Sequence, residues 1–446
     1  MNRLSMALSS HHKKLVLVFA VSFALSIAYS FYHRIEPVVD ARSYDAIAQN
    51  IVSGEGFKED RTLSYEFDPS IIRAGPLYEY FLAGVYALFG HSYPAVWVLQ
   101  ALLHVLSAYL VYRISRELFT EHSETIGLVS AMLIGFHPDL IEISAMLMTE
   151  TLYLFLVTLT LLAFLKAYQK PEALSRALFL GGSTALSILI RPPVLFFIPI
   201  FLFLFVAKKQ YRSVGVFLAV VCLCMLPWTV RNYTVYRQFI PTTLIGQYNL
   251  WVGNTLLAGG GQLAGGVNPA IAYLEGSGAS RFAHEAGKEF RSFVFGHPLV
   301  FLKLTVIRIV RYVSLIRPMG FWFYQAGLPQ LIFVALSGLS IALLFISGVA
   351  GLWRYIREQK ELGYYLLALT LTAPLPLIIT VVQSRYRFQV YPFLAVPGAY
   401  FLVALCHRAE GVRRIGLITA GILLTISLID VSMFLPVVLE RLGRFL

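Results

Sequence analysis

The stretch KKLVLVFAVSFALSIAYSFYHRIEPVVD, residues 13–40, decides the architecture. Lys13 and Lys14 precede an unbroken apolar run from Leu15 to Phe31, and charge returns only with Arg34, Glu36 and Asp40. A hydrocarbon core about 30 Å thick takes about 20 residues of helix, and shorter runs suffice where neighbouring helices cover them. The run has the look of a secretory signal, but no small-residue cleavage site follows it before Asp40, so a retained helix is expected. Arg3, Lys13 and Lys14 hold its start on the cytoplasmic side, which sends the helix outward and leaves Asp40 just beyond the outer boundary.

The rest of the chain repeats this pattern. Of 446 residues 58% are hydrophobic and 13% charged, against roughly a quarter charged in an average soluble domain, so a conventional soluble protein is excluded. The net charge of +12 sits in short basic clusters between apolar runs, the pattern of cytoplasmic membrane loops, and no nucleic-acid partner is expected. Cys222, Cys224 and Cys406 lie inside apolar runs, which implies neither a disulfide framework nor a zinc site.

Further spans are expected at Pro94–Tyr112, Thr125–Ile141, Thr151–Lys166, Ala177–Ile190, Val194–Ala207, Val214–Pro227, Leu331–Leu352, on either side of Arg385 and Arg387, and at Ile415–Leu435. The expectation is therefore an all-α polytopic membrane protein of about eleven transmembrane helices forming one domain over residues 1–446. Two long outer segments remain, 32–93 and 231–329. In the first, Tyr44, Ile47, Ala48, Ile51 and Val52 recur at helical spacing before Gly54-Glu55-Gly56, and Pro76–Phe89 is too short to span, so both are expected as juxtamembrane helices. Residues 299–316 are apolar but carry Lys303, Arg308 and Arg311, costly at mid-bilayer, and are placed at the outer interface. If they spanned instead, the later basic clusters would fall outside.

Short inner and long outer loops put any reactive site at the outer face. On spacing alone Asp40 either caps the following helix or serves as a site carboxylate. Gly259–Gly266 has no Gly-Lys-Ser/Thr ending and is read as a loop, not a nucleotide site. Trp228, Trp251, Trp322 and Tyr324 are read mostly as interfacial anchors.

Several pieces, in order along residues 36–400, carry a resemblance: Asp40-Ala-Arg-Ser-Tyr44 through Gly54-Glu-Gly56-Phe57, Arg73-Ala-Gly-Pro76-Leu77-Tyr78, Phe89-Gly90, Met148-Thr149-Glu150-Thr151-Leu152, Arg191-Pro192, Pro227-Trp228-Thr-Val-Arg231-Asn232-Tyr233, and Ser384-Arg385-Tyr386-Arg387 with Pro392. Together they resemble the GT-C membrane glycosyltransferases, specifically the protein O-mannosyltransferase and lipid A aminoarabinose transferase branch. One departure stands out: where that branch has a basic residue before Pro-Pro-Leu, this chain has Arg73-Ala74-Gly75-Pro76-Leu77.

The resemblance implies an inverting transfer of a sugar from a polyprenyl-phosphate donor to a lipid, glycan or protein acceptor, at the periplasmic face of the inner (plasma) membrane. It makes Asp40 the catalytic base. Guanidinium forks match phosphate oxygens, and Arg73, Arg231, Arg385 and Arg387 are the candidates for the donor phosphate, with interfacial lipid anchoring as their alternative role. Tyr44, Glu150 and Asp68 are supporting candidates, Glu150 as a cavity or structural group and Asp68 as an acceptor-orienting or solvating one. No metal ligand set is assigned, although some relatives use a divalent metal and the acids near Asp40 leave that open. A lipid-linked sugar flippase or transporter, and an oligosaccharide ligase or polymerase, are the competing readings. The former would favour paired repeats and mid-membrane charges, and no such repeat is visible in the sequence.

Overall fold

The computed structural model describes residues 2–260, 268–315 and 327–435, with side chains from residue 11 onward. Residues 261–266 of the glycine-rich stretch, together with Trp322 and Tyr324, lie outside the described residues.

Every described element is helical. In chain order the helices are α1 (Asn2–His33), α2 (Asp40–Val52), α3 (Pro76–Phe89), α4 (Tyr93–Leu118), α5 (Ser123–Gly135), α6 (Pro138–Ser144), α7 (Glu150–Gln169), α8 (Leu174–Ile190), α9 (Ile198–Ala207) and α10 (Tyr211–Tyr236). They continue as α11 (Ile245–Gly253), α12 (Pro269–Ser277), α13 (Ala279–Gly296), α14 (Pro298–Val313), α15 (Gly327–Glu358), α16 (Lys360–Thr372), α17 (Leu375–Ile379), α18 (Tyr391–Cys406) and α19 (Val412–Met433). Among the described residues, eight helices are long and apolar enough to cross a membrane, and the bent pairs α5–α6 (56°) and α13–α14 (103°) bring the number to ten if each is one span. The apolar helices Leu174–Ile190 and Pro192–Ala207 are shorter and lie where the sequence reading placed two of its eleven spans.

The bundle is a chain of neighbours: α4 packs on α5 and α7, α7 on α8, α8 on α10, and α15 on α18. Small residues set the closest of these approaches. Gly348 and Gly351 of α15 face Leu394 and Pro397 of α18 so closely that a methyl at Gly351 would overlap the Pro397 carbonyl. Dispersion between backbones replaces the hydrophobic drive that lipid cannot supply.

Prolines punctuate the path as their missing N–H and fixed φ require. Pro76, Pro138 and Pro298 each open a helix, and Pro192 follows the end of α8. Pro227, by contrast, lies within α10, which runs on to Tyr236 instead of leaving the bundle at Trp228 as the sequence suggested.

Helices are present at both expected positions within residues 32–93. α2 buries Tyr44, Ile47 and Ala48 but leaves Val52 half exposed, so the buried stripe ends one turn earlier than expected. It also buries Ser43, Asn50 and Asp45, and Asp45 accepts hydrogen bonds from Tyr86 Oη (2.5 Å), Tyr93 Oη (3.0 Å), Gln49 Nε2 (2.9 Å) and the His91 ring (3.0 Å). The bonds from Tyr86, His91 and Tyr93 fasten α2 to α3 and to the start of α4, and the one from Gln49 lies within α2. α3 buries Glu79, and removal from water pushes its carboxyl up to about 8, so the helix packs as a neutral surface near pH 7.

α14 turns through 103° from α13. Leu299, Leu302, Val306 and Ile309 are exposed along one face, while Leu304, Arg308 and Tyr312 are buried on the other. Among the described residues Arg308 has no carboxylate partner; it donates to Asn254 Oδ1 (3.1 Å), to the Ile378 and Ile379 carbonyls (3.3 and 3.0 Å) and to the Gly253 carbonyl. It therefore caps the carboxyl ends of α11 and α17 together, where unsatisfied carbonyls and the helix dipoles favour a cation. Arg308→Met keeps the bulk and removes the charge; we expect a loss of about 3 kcal/mol, read as a fall of several degrees in the detergent-solubilised melting temperature. An unchanged melting temperature would show that water replaces the cap.

Candidate active site

Asp40 is the first residue of α2, and Val39 before it takes φ 50° and ψ −120°, a costly conformation for a β-branched residue. The Asp40 side chain does not close the helix end. It turns instead to Arg385, whose Nη2 donates to Oδ2 at 2.6 Å, while Arg73 Nη1 stands 4.0 Å from Oδ1. The carboxylate remains 26% exposed although both arginines are more deeply buried, which leaves it open to an incoming group.

The two arginines belong to one continuous network. Arg73 forks onto Glu59 through Nε and Nη2 (2.8 and 2.6 Å), and Ser43 of α2 donates to the same carboxylate at 2.7 Å. Arg385 Nε lies 3.6 Å from Glu150 at the start of α7, and Glu150 accepts from Arg191 Nη2 at 2.7 Å. Arg191 also donates from Nε to Thr149 Oγ1 at 2.9 Å. The resulting order is Glu59, Arg73, Asp40, Arg385, Glu150, Arg191, with charges alternating throughout.

Arg191 reaches this position because α8 stops at Ile190 before two prolines. Gly75 serves the same junction. A methyl there would strike the Leu189 and Ile190 carbonyls at 2.4 and 2.6 Å, so only glycine lets the entrance to α3 lie against the end of α8. The departure at Ala74-Gly75 thus has a local reason.

Electrostatics keeps the site carboxylate charged. Burial raises the Asp40 carboxyl, but the Arg385 charge and hydrogen bond, with Arg73 and Arg191, outweigh it and hold the group below its ordinary value of 3.8. Tyr44 moves the opposite way: burial first, then the nearby Asp40 charge, raise its phenol well above the usual range, so it is present as a hydrogen-bond donor.

These groups border a cavity of about 320 Å³. Asp40, Tyr44, Arg73, Arg191 and Arg385 form its polar wall, and Leu195, Phe196, Ile245, Pro376 and Leu377 form an apolar one. Phe196 is 45% exposed at its edge. A second, open cleft of about 590 Å³ lies across α2 and shares only Val39 with the first.

Of the residues selected from the sequence, Asp40, Tyr44, Arg73 and Arg385 line the first cavity, and Glu150 supports it from behind. Three others do not line it. Arg387 is 1% exposed and donates to the Ser314 carbonyl at 2.7 Å, because the tight 3-10 turn Ser384–Val390 sends it and Arg385 to different sides. Arg231, carried inward by the continuation of α10, sits among the rings of Phe57, Tyr65, Trp228 and Tyr236 and donates to the Phe57 carbonyl. Asp68 is fully buried and accepts from the backbone N–H groups of Glu59, Asp60 and Ser70, which shapes the loop that delivers Glu59.

Sequence reasoning gave no role to Arg191 and did not select Glu59. For Arg191 the helix-breaking Arg191-Pro192-Pro193 was a usable signal; Glu59 sits in an irregular loop with none. Among the described residues no group of three or more His, Cys, Asp or Glu side chains is placed to hold a metal ion. Glu59 and Glu150 are instead committed to arginine forks.

The sequence profile of the dolichyl-phosphate-mannose-protein mannosyltransferase family matches residues 73–230. A comparison with curated proteins found no match. Among solved structures, the apo oligosaccharyltransferase of Archaeoglobus fulgidus superposes on 95% of this chain and 55% of its own, at 16% identity and a TM-score of 0.55. The oligosaccharyltransferase AglB of the same archaeon, in complex with an inhibitory peptide and a dolichol-phosphate, gives 94%, 55%, 15% and 0.53 for the same four quantities. ArnT from Cupriavidus metallidurans, bound to undecaprenyl phosphate, is similar over 96% of this chain and 71% of its own, at 13% identity and a TM-score of 0.51. This chain therefore spans about half the length of the oligosaccharyltransferase chains it resembles. The helical order and the short helices between the first two spans give this chain the multi-span helical fold of these membrane-protein structures, and residues 73–230 resemble the mannosyltransferase family.

Proposed function

We propose that this protein is an inverting glycosyltransferase that moves a sugar from a polyprenyl-phosphate donor to an acceptor at the periplasmic face of the inner membrane, with Asp40 as the base. The observation that carries this reading is the ionised, partly open Asp40 at the mouth of a cavity with one arginine-rich wall and one apolar wall. A phosphate esterified to a long isoprenoid needs both kinds of wall. Arg73, Arg191 and Arg385 supply planar forks for the phosphate oxygens and for the negative charge that grows on the departing phosphate. The apolar wall, with Phe196 exposed at its edge, suits the first isoprenes on their way into lipid.

Transfer with inversion requires the acceptor hydroxyl to approach the anomeric carbon opposite the phosphate while a base takes its proton. Asp40 joins the two requirements, since it faces the donor cavity from the helix that separates it from the second cleft. The dolichol-phosphate and undecaprenyl phosphate bound by the two structural relatives support a polyprenyl phosphate as the donor's carrier.

The test uses the purified chain in nanodiscs with a panel of polyprenyl-phosphate sugars and candidate acceptors, following release of polyprenyl phosphate. Acceptor-dependent release is expected. Movement of lipid-linked sugar across a vesicle bilayer without any transfer would support the flippase reading instead.

A further inference from the structure

We propose that Tyr386 is a positioning residue for the phosphate: its ring, in contact with the guanidinium groups of both Arg191 and Arg385, holds the two forks in register for one lipid-linked phosphate. This rests on the cavity taking a polyprenyl phosphate, and it adds a residue that acts through the arginines.

Arg191 and Arg385 are two cations brought onto one acceptor. Arg191 Nη2 donates to Glu150 Oε1 at 2.7 Å, and Arg385 Nε stands 3.6 Å from the same oxygen. Glu150 is 2% exposed and is not among the residues lining the cavity, so it serves both from behind. The other bonds of the pair diverge: Arg191 Nε reaches Thr149 Oγ1 (2.9 Å), while Arg385 reaches Gln383 Oε1 (2.9 Å) and Asp40. Like charges this close repel where water is scarce, and a single carboxylate oxygen fixes a point for the two forks, not a plane.

Tyr386 supplies the second anchor. Its ring centroid is 5.3 Å from the Arg191 guanidinium carbon and 5.3 Å from that of Arg385, and it lines the cavity beside both. The negative face of an aromatic ring attracts a cation within about 6 Å of its centre, more strongly once water is removed. Consecutive side chains of a 3-10 turn point about 120° apart. The turn Ser384–Val390 thus sends Arg385 to Asp40, Arg387 to the Ser314 carbonyl and Tyr386 across to Arg191. The ring is steadied from outside as well, because it packs against the bundle core and against the smaller core shared by α11, α12 and α13. Its hydroxyl makes no hydrogen bond to the protein among the described residues, so the ring itself carries the contact.

The test measures binding of undecaprenyl phosphate, with undecaprenol as the uncharged control, to the full chain in nanodiscs. Tyr386→Leu is expected to weaken undecaprenyl phosphate binding about tenfold and to leave undecaprenol unchanged, while Tyr386→Phe, which keeps the ring, restores the wild-type affinity. Fluorinated phenylalanines incorporated at position 386 give a series of nearly constant volume whose ring face becomes progressively less negative, and affinity for undecaprenyl phosphate should fall stepwise along it. A loss in Tyr386→Phe equal to that in Tyr386→Leu would assign the effect to the hydroxyl, an equal loss of undecaprenol would assign it to the prenyl chain, and a flat fluorination series would reduce the ring to a spacer; each overturns the proposal. Affinity is read without acceptor or turnover. An inactive wild-type chain that still prefers undecaprenyl phosphate to undecaprenol would therefore sink the transferase reading alone, and a wild-type chain without that preference would overturn this one.

Discussion

Asp40→Asn is expected to lower turnover about 1,000-fold, within the range that a positioned general base contributes, while donor binding stays close to wild type and the protein remains folded at a somewhat lower melting temperature, because Arg385 loses its main counter-charge. Asparagine has the same shape and can still accept the hydrogen bond from Arg385 Nη2, so the cavity wall survives. What disappears is a basic oxygen able to take a proton as the acceptor oxygen bonds to the sugar. The measurement pairs the rate of polyprenyl phosphate release with the affinity for polyprenyl phosphate itself. Loss of rate at constant affinity identifies a group acting in the transition state. Turnover near the wild-type level in a folded Asp40→Asn protein would remove Asp40 from the chemistry.

The second large effect is expected at Arg385, the buried cation between Asp40 and Glu150. Arg385→Gln takes away one donor to the phosphate and the principal partner of the base, and we expect turnover to fall about 100-fold or more. It should also change the pH profile in a defined direction. The base works ionised, and in wild type the arginines hold Asp40 below 3.8, so the acid limb of kcat/KM lies below that value. Without Arg385 the burial of Asp40 is no longer outweighed, its pKa rises, and the acid limb moves to higher pH.

Stability follows the same sign. The lowered pKa contributes stability that is present above the unfolded-state value and lost as the pH falls through the folded-state value. The variant gives up that contribution. A loss of rate with an unmoved acid limb would show that Arg385 acts on the phosphate alone, and that Arg73 and Arg191 suffice to keep Asp40 charged.

The network explains why some arginines were easier to place from the sequence than others. Arg73 and Arg385 each sit in a segment whose geometry is locally set, the turn before Pro76 and the short helix that begins at Ser384. Arg231 was misjudged because Pro227 suggested an exit from the bundle, and the helix continued past it. Proline within a membrane helix is tolerated when neighbours satisfy the freed carbonyl, and no local pattern reports those neighbours. Arg387 illustrates a finer limit: it is two residues from Arg385, and their opposite fates depend on the 3-10 geometry of Ser384–Val390 and on a carbonyl at Ser314.

Composition and periodicity by themselves determined the solvent, the helical class, the approximate number of spans and the two short helices between the first two spans. Each of these follows from a local need, since a backbone in lipid must satisfy its own hydrogen bonds and an apolar stripe must be covered. The tertiary structure alone decided which charges meet. Glu59, Asp40, Glu150 and Arg385 come from regions up to 345 residues apart, and their pairing depends on where α2, α7, α8 and the Ser384–Val390 turn end in space. A buried charge is stable only beside its opposite, and that partner is chosen by packing across the whole bundle, which no stretch of sequence specifies alone.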